Sequence, residues 1–241
     1  MPAHIDGAQN PLALLEGVQP SSISGFRLDL PDDLEAWRNG LDRRFRRELD
    51  RGWRTFNENA GAEFRFVTNS EEARDIFFGL KRHQKSSVAN LDEPYFLDQP
   101  SVRKFYDGLF AGGLADGSVK FSVLNAGTEP VSSLLSLLDA RGCTLIHLAT
   151  AGGRWKTCSP GRLIIERTMM ALHAEGNRTF DFTIGDYPYK RHFGASPVQL
   201  VDAHIAVSWR GLPSVISERA MQAMGRSDTV RKAVHKLGAY S

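Results

Sequence analysis

Cysteine is nearly absent from this chain. Its 241 residues include two, Cys143 and Cys158, too far apart for a CxxC pair. No cluster of His and Cys stands at ligand spacing, so a zinc site is not expected, and neither is any other metal centre. A disulfide between the two remains open, but a reduced protein is the simpler reading. An excess of one charge is also missing. Lys and Arg number 30 against 28 Asp and Glu, a formal net charge of +2. That balance makes no case for a nucleic-acid binder, and no DNA partner is expected. No stretch approaches the roughly 18 apolar residues of a membrane span. The N-terminal "MPAHIDGAQNPLALLEGVQPSS" has neither a basic start nor a continuous apolar run, so a secretion signal is not expected. A soluble, cytoplasmic protein is the resulting expectation.

What is present suffices for a globular core. The 41% hydrophobic content over 241 residues suits one large domain or two small ones. Residues 1–25, rich in Gly, Pro, Ser and Gln, read as a loose lead-in to a domain over 26–210. Residues 32–60 read as one basic helix, with Leu34, Trp37, Leu41, Phe45 and Leu49 at spacings of three and four. Arg43, Arg44, Arg46, Arg47, Arg51 and Arg54 cover the rest of it, either as a solvated face or as a surface for an anion or partner.

"EFRFVT" then alternates as a strand, followed by a helix capped by Ser70 and a second helix over "SVRKFYDGLFAGGL". "SVKFSVLNAG" reads as a strand, and "PVSSLLSLLDARGCTLIHLATAG" as a hairpin turning at 139–142. The first arm of that hairpin also fits helical spacing. A helix from Ser159, the strand "TFDFTI", a short helix "YPYKRHF" and the strand "QLVDAHIAVS" follow. A basic helical tail, 211–241, closes the chain. This order predicts an α/β architecture with a mixed sheet.

The helix start at "SPGR" is the first candidate site. Ser159 and Pro160 suit the N-cap and first helical positions. Gly161 costs helix stability unless something approaches the backbone closely, and Arg162 opposes the helix dipole. Both fit an anion resting on the exposed N–H groups, with Arg154 and Lys156 adding attraction; an ordinary helix start with surface cations also accounts for them. In "TFDFTIG", Asp181 interrupts an apolar strand, either paired with Lys190 or Arg191 or serving as a general base or amine binder. Tyr189 could protonate a leaving group and Lys190 hold an anion, or the two could simply pack and be solvated. His147, placed by alternation on one strand face with Cys143 and Leu145, reads as a core histidine or a substrate contact. Asp202 and His204 form a second possible acid–base pair.

The order of these pieces is informative. A hairpin, "SPG" opening a helix that ends in Gly, then "FDF" with Gly185, Tyr189–Lys190 and Phe193 at fixed spacing, resembles the CelD-like acetyltransferases of cellulose biosynthesis. The Arg-rich "RRFRRELDRGWRTFNENAGAEFRFVTNSEEARDIFFGL" resembles the segment leading into that family's catalytic lobe. The resemblance covers roughly residues 30–207. It implies a GNAT-type fold (acyl-CoA N-acyltransferase), with a mixed, mostly antiparallel sheet and flanking helices, related to FemAB-type transferases. It further implies an acetyl-CoA or other acyl-CoA co-substrate with its pyrophosphate on Ser159, Pro160, Gly161 and Arg162. Asp181, Tyr189 and Lys190 would be catalytic, and His147 and Gly185 substrate-binding. The acceptor would be a small amine such as an amino sugar; the alternatives are an aminoacyl-tRNA-dependent transferase or a non-catalytic binding lobe. Two features depart from the pattern. The N-terminal GNAT-like half usual in such proteins is missing as a partner lobe, and "RWKTCSPG" lacks the Q/R–x–x–G–x–G/A signature of simpler GNAT enzymes.

Overall fold

The computed structural model describes residues 1–203 apart from 6, 16 and 88–98, together with 208, 209 and 213; of residues 82–87 it describes the backbone. The chain divides into two compact units, one from Met1–Ser24 and Gln199–Ser241, the other from Gly25–Val198.

In the smaller unit, where a loose lead-in is expected, the structure has short strands. β1 (His4–Ile5) pairs with β2 (Ala8–Gln9). A 3-10 turn over Pro11–Leu14 follows, then β3 (Val18–Pro20). Asn10 is buried and fixes the turn from both sides: its Nδ2 donates to the Pro2 carbonyl at 2.8 Å and its Oδ1 accepts from Leu12 N–H at 3.0 Å.

The larger unit starts with β4 (Gly25–Asp29), a strand that the sequence reading misses. α1 (Leu34–Gly40) and α2 (Arg43–Asn57) follow, where the spacing predicts a single helix. The break has a local cause. Leu41 is extended at ψ 151°, and the Asp42 carboxylate caps the next helix by accepting from Arg44 N–H and Phe45 N–H, both at 2.9 Å. After β5 (Ala62–Val67) comes α3 (Ser70–Ser87), capped not by Ser70, as the sequence predicts, but by Asn69, whose Oδ1 accepts from Glu72 N–H at 2.9 Å. α4 (Pro100–Asp116) leads into β6 (Val119–Ala126), β7 (Glu129–Asp139) and β8 (Gly142–Thr150). The expected hairpin is β7–β8, and its first arm is a strand. A 3-10 turn over Gly153–Cys158 joins it to α5 (Pro160–Ala174), then β9 (Thr179–Ile184), α6 (Pro188–His192) and β10 (Ser196–Val198).

These strands make one sheet in the order β10-β4-β9-β8-β7-β6-β5. Every pair is antiparallel except β8–β9. The mixed, mostly antiparallel sheet with flanking helices is thus as expected. Helices cover both faces because neighbours along a strand point oppositely. Leu124 and Leu134 join a core with Phe45, Leu49 and Phe56 of α2 and Leu163, Ile164 and Met169 of α5. Val123 and Leu135 join the other, with Phe77 of α3 and Tyr106 and Phe110 of α4.

Back in the smaller unit, β11 (Val201–Ala203) pairs with β3, Val201 opposite Pro20. Asp202 lies on it, while His204 and the expected helical tail lie outside the described residues. Among the described residues no helix is long and apolar enough to cross a membrane.

Candidate acyl-transfer cleft

The parallel pair β8–β9 is barely a pair. Only Cys143–Phe180 and Thr144–Asp181 are in register, and beyond them the strands part. Two local devices turn β9 away. The Asp181 Oδ1 accepts from Thr183 N–H at 2.6 Å, and Thr183 is left-handed at φ 58°. Gly185 follows at φ 97°, a left-handed backbone that calls for glycine, and a Cβ there would sit 2.8 Å from the exposed Tyr187 ring and displace it. Lys190, 1% exposed, fastens the turn from α6, its Nζ donating to the Thr183 carbonyl at 3.2 Å and the Ile184 carbonyl at 2.7 Å. Burial lowers its pKa, while Asp181 and Asp186 act in the opposite direction. Of the pairings foreseen for Asp181, neither forms as a hydrogen bond: Lys190 holds backbone carbonyls, and Arg191 pairs with Asp186 at 2.6 Å.

A bulge also interrupts the β7–β8 ladder. Leu135 lies opposite His147 and Ser136 opposite Leu145, so Ile146 is the extra residue. A one-residue insertion reverses the faces beyond it. Cys143 and Leu145 therefore pack in the α5-side core, whereas the His147 ring lies 5.1 Å from Phe77 on the α3 side. The expectation that His147 shares a face with Cys143 and Leu145 is corrected by this bulge. Its Nε2 is buried without a hydrogen-bond partner, and burial together with the nearby Lys81 pushes its pKa down to about 3.

Tyr189 is half-buried between the exposed Tyr187, stacked at 6.1 Å, and Phe182 at 6.3 Å. Burial, then Tyr187, raises its pKa, so the hydroxyl keeps its proton at neutral pH. Both cysteines are buried and free, and burial pushes the Cys143 thiol up to about 12.

At the head of α5, Ser159 is left-handed at φ 52°, and its side chain makes no capping bond. Pro160 is buried. Gly161 lets the helix approach β8, since a Cβ would lie 3.2 Å from Thr150 Cγ2 and 3.3 Å from Leu148 Cδ2. Arg162, whose sign opposes the helix dipole, is matched by Glu48 of α2 at 2.8 Å and lies over the Phe45 ring. A small cavity of about 40 Å³ at this point is lined by Arg51, Thr157, Ser159 and Arg162 among others.

A larger cavity, about 590 Å³, adjoins the C-terminal end of β8, between Ile76, Gly79 and Leu80 of α3 and the 151–155 loop. Glu129 anchors its wall, accepting from Arg154 Nη2 at 2.5 Å and Trp155 Nε1 at 2.7 Å. The sequence reading misses Glu129 and Trp155 here; the glycine pair Gly152–Gly153 directly after a strand was the signal for them. Among the described residues no three His, Cys, Asp or Glu side chains gather into a metal site.

A mostly antiparallel sheet whose one parallel pair opens beside a helix N-terminus is a GNAT-type acyltransferase fold. The chain belongs to the family of acetyltransferase (GNAT) domains, whose model matches residues 43–191. No curated protein matches the sequence. Similar solved structures include FemX, with 10% identity, TM-score 0.54 and coverage of 77% of this chain and 61% of that one. The C-terminal domain of a putative lysylphosphatidylglycerol synthetase from Agrobacterium fabrum is similar at 14% identity and TM-score 0.54, covering 81% and 67%. L-PGS from Bacillus licheniformis follows at 11% identity and TM-score 0.51, covering 88% and 68%. These likenesses concern the fold. The chain spans 61% of the length of FemX.

Proposed function

We propose that the protein is an acyl-CoA-dependent N-acyltransferase that acylates a small amine, an amino sugar in the CelD-like reading, by direct transfer. The observation that carries this reading is the parting of β8 and β9 beyond Thr144–Asp181. Past that point, among the described residues, the edge of β8 facing β9 has no strand to pair with. Its amides suit the pantetheine arm of a co-substrate, which itself alternates amide and methylene groups.

The residues around the opening fit an acyl-CoA in part. Ser159 leaves its hydroxyl uncommitted at the head of α5, where helix N–H groups favour a phosphate. Arg162 is shared with Glu48, and Gly161 is accounted for by its packing on β8, so neither speaks for the pyrophosphate by itself.

In the proposed chemistry the acceptor amine attacks the thioester carbonyl, the C–N bond forms and the C–S bond breaks. Asp181, with one oxygen committed to Thr183 N–H, takes the amine proton on the other, directly or through a water. Tyr189, kept protonated by burial, gives its proton to the departing thiolate. Lys190 acts as a positioning residue by holding the carbonyls of the turn that opens the cleft. No covalent enzyme intermediate is invoked, which agrees with a Cys143 thiol held protonated.

Isothermal titration of the full chain with acetyl-CoA tests the reading. Micromolar to millimolar binding is expected, and no heat at millimolar ligand would overturn it. The names of the fold neighbours admit an aminoacyl rather than acetyl donor; a chain that transfers an aminoacyl group and ignores acetyl-CoA would replace the first reading with that one.

A further inference from the structure

The outer face of α2 forms a groove of about 820 Å³, lined by Arg43, Arg44, Arg47, Arg51 and Arg54 together with Asp42 and Glu48. Both carboxylates are already committed. Asp42 caps the helix, and Glu48 pairs with Arg44 at 3.1 Å and with Arg162 at 2.8 Å. Arg43, Arg47, Arg51 and Arg54 are left exposed, with no ion pair, hydrogen bond or ring contact among the described residues.

Among the described arginines that situation is confined to this groove. Every other arginine whose side chain is described has a carboxylate (Arg27, Arg38, Arg65, Arg74, Arg141, Arg154, Arg178 and Arg191), an amide oxygen (Arg46) or an aromatic ring (Arg103 and Arg167). The four unmatched cations follow one face of the helix at steps of four, four and three residues, which is about 6 Å per step and about 16 Å in all. Like charges at such spacing repel and weaken the helix, so a ligand carrying negative charge at matching intervals is favoured.

We propose that this groove docks a single-stranded nucleic-acid backbone, each of the four arginines taking one phosphate. Guanidinium groups bind phosphate oxygens in pairs, and a linear polyanion matches a line of cations along one helix face. An anionic bilayer fits less well. Surface-binding helices insert an apolar face, but the apolar residues Phe45, Leu49 and Phe56 of α2 are buried in the core. The near-zero net charge does not oppose the proposal, because it averages over a surface on which the other described arginines are matched. The inference does not depend on which acyl donor the cleft takes.

The test is binding of a labelled single-stranded RNA of about twelve nucleotides to the full chain between 50 and 200 mM salt. Single strands lose about 0.7 in log K per phosphate contact for each log unit of salt. Four contacts give a slope of about −2.8 and about a 50-fold loss of affinity over that range. The exposed pair Arg43→Gln/Arg47→Gln should halve the slope, leaving about a 7-fold loss, with the circular dichroism spectrum unchanged. Arg141→Gln removes an equal charge from an arginine already paired with Asp139 and should keep the wild-type slope. A slope shallower than about −1 in the wild type, or one unchanged in the double variant, overturns the proposal. So does binding to phosphatidylglycerol vesicles without binding to the RNA.

Discussion

His147 allows a quantitative prediction of how stability depends on pH. Its ring packs on Phe77, its Nε2 has no partner, and its pKa is pushed down to about 3 by burial and by the charge of Lys81. In the unfolded chain it returns to the ordinary value of about 6.5. Between those two values the unfolded state binds a proton that the folded state refuses, so acid favours unfolding. Stability from this group is therefore complete above about pH 6.5 and is lost as pH falls toward 3. Integration from pH 7 to pH 5 gives a loss of about 2 kcal/mol from this one imidazole. Lys81, whose pKa burial lowers to about 8, does not interfere. It is protonated in both states below pH 7, and its own effect, a gain in stability with rising pH, falls above about pH 8. The perturbation is His147→Leu, which keeps the bulk, removes the titration and leaves no hydrogen bond broken. Urea unfolding at pH 7 and pH 5 is the assay, with the difference between the two drops as the readout. The variant should lose about 2 kcal/mol less than the wild type on acidification and stay near wild-type stability at pH 7. Equal drops in the two proteins would mean that His147 is solvated, and the argument from its burial would fail.

Four further substitutions probe the site and the helix starts beside it. Tyr189→Phe should lower kcat by about 100-fold with KM for the acyl donor nearly unchanged, because in the proposed chemistry the hydroxyl acts only on the leaving thiolate; steady-state kinetics with acetyl-CoA checks it, and an unchanged kcat would remove Tyr189 from the chemistry. Gly185→Ala should cost roughly 1–2 kcal/mol, mostly from forcing an alanine to φ 97°, since the exposed Tyr187 ring can swing aside; a melting temperature equal to wild type would contradict the turn geometry. Asp42→Ala removes the two capping bonds at the start of α2 and should cost about 1 kcal/mol by denaturant unfolding, whereas Ser159→Ala, with no capping bond to lose, should cost under about 0.5 kcal/mol.

Much of the fold was legible because it is written locally. The alternation of "TFDFTI", the apolar arms around the turn at 139–142, the Ser–Pro start of α5 and the proline that opens α6 each specify an element through neighbouring residues. The same local information brought Asp181, Gly185, Tyr189 and Lys190 into one short segment, where the structure also finds them. Their partners were not legible. The sequence offers Lys190 as an anion holder or a solvated side chain, yet it is buried and tied to two carbonyls of the preceding turn. Arg162 was read against the dipole of its own helix, yet its counter-ion is Glu48, more than a hundred residues earlier. β4 escapes the sequence reading because five residues, two of them charged, carry little periodicity, although it forms an interior strand between β9 and β10.

The sequence by itself determined most helices and strands of the larger unit, the order in which they come, and that the candidate site residues cluster after the central helix. Capping groups, turn glycines and side-chain period act over four residues or fewer, so they can be read without the fold. Tertiary structure alone decided which face His147 occupies, that β8 and β9 part after two paired residues, and which arginines keep an unmatched charge. Each of these depends on a register shift or on a partner distant in the chain. A single extra residue in β8 reverses every side chain beyond it, and a cation counts as unmatched only once the whole surface around it is built.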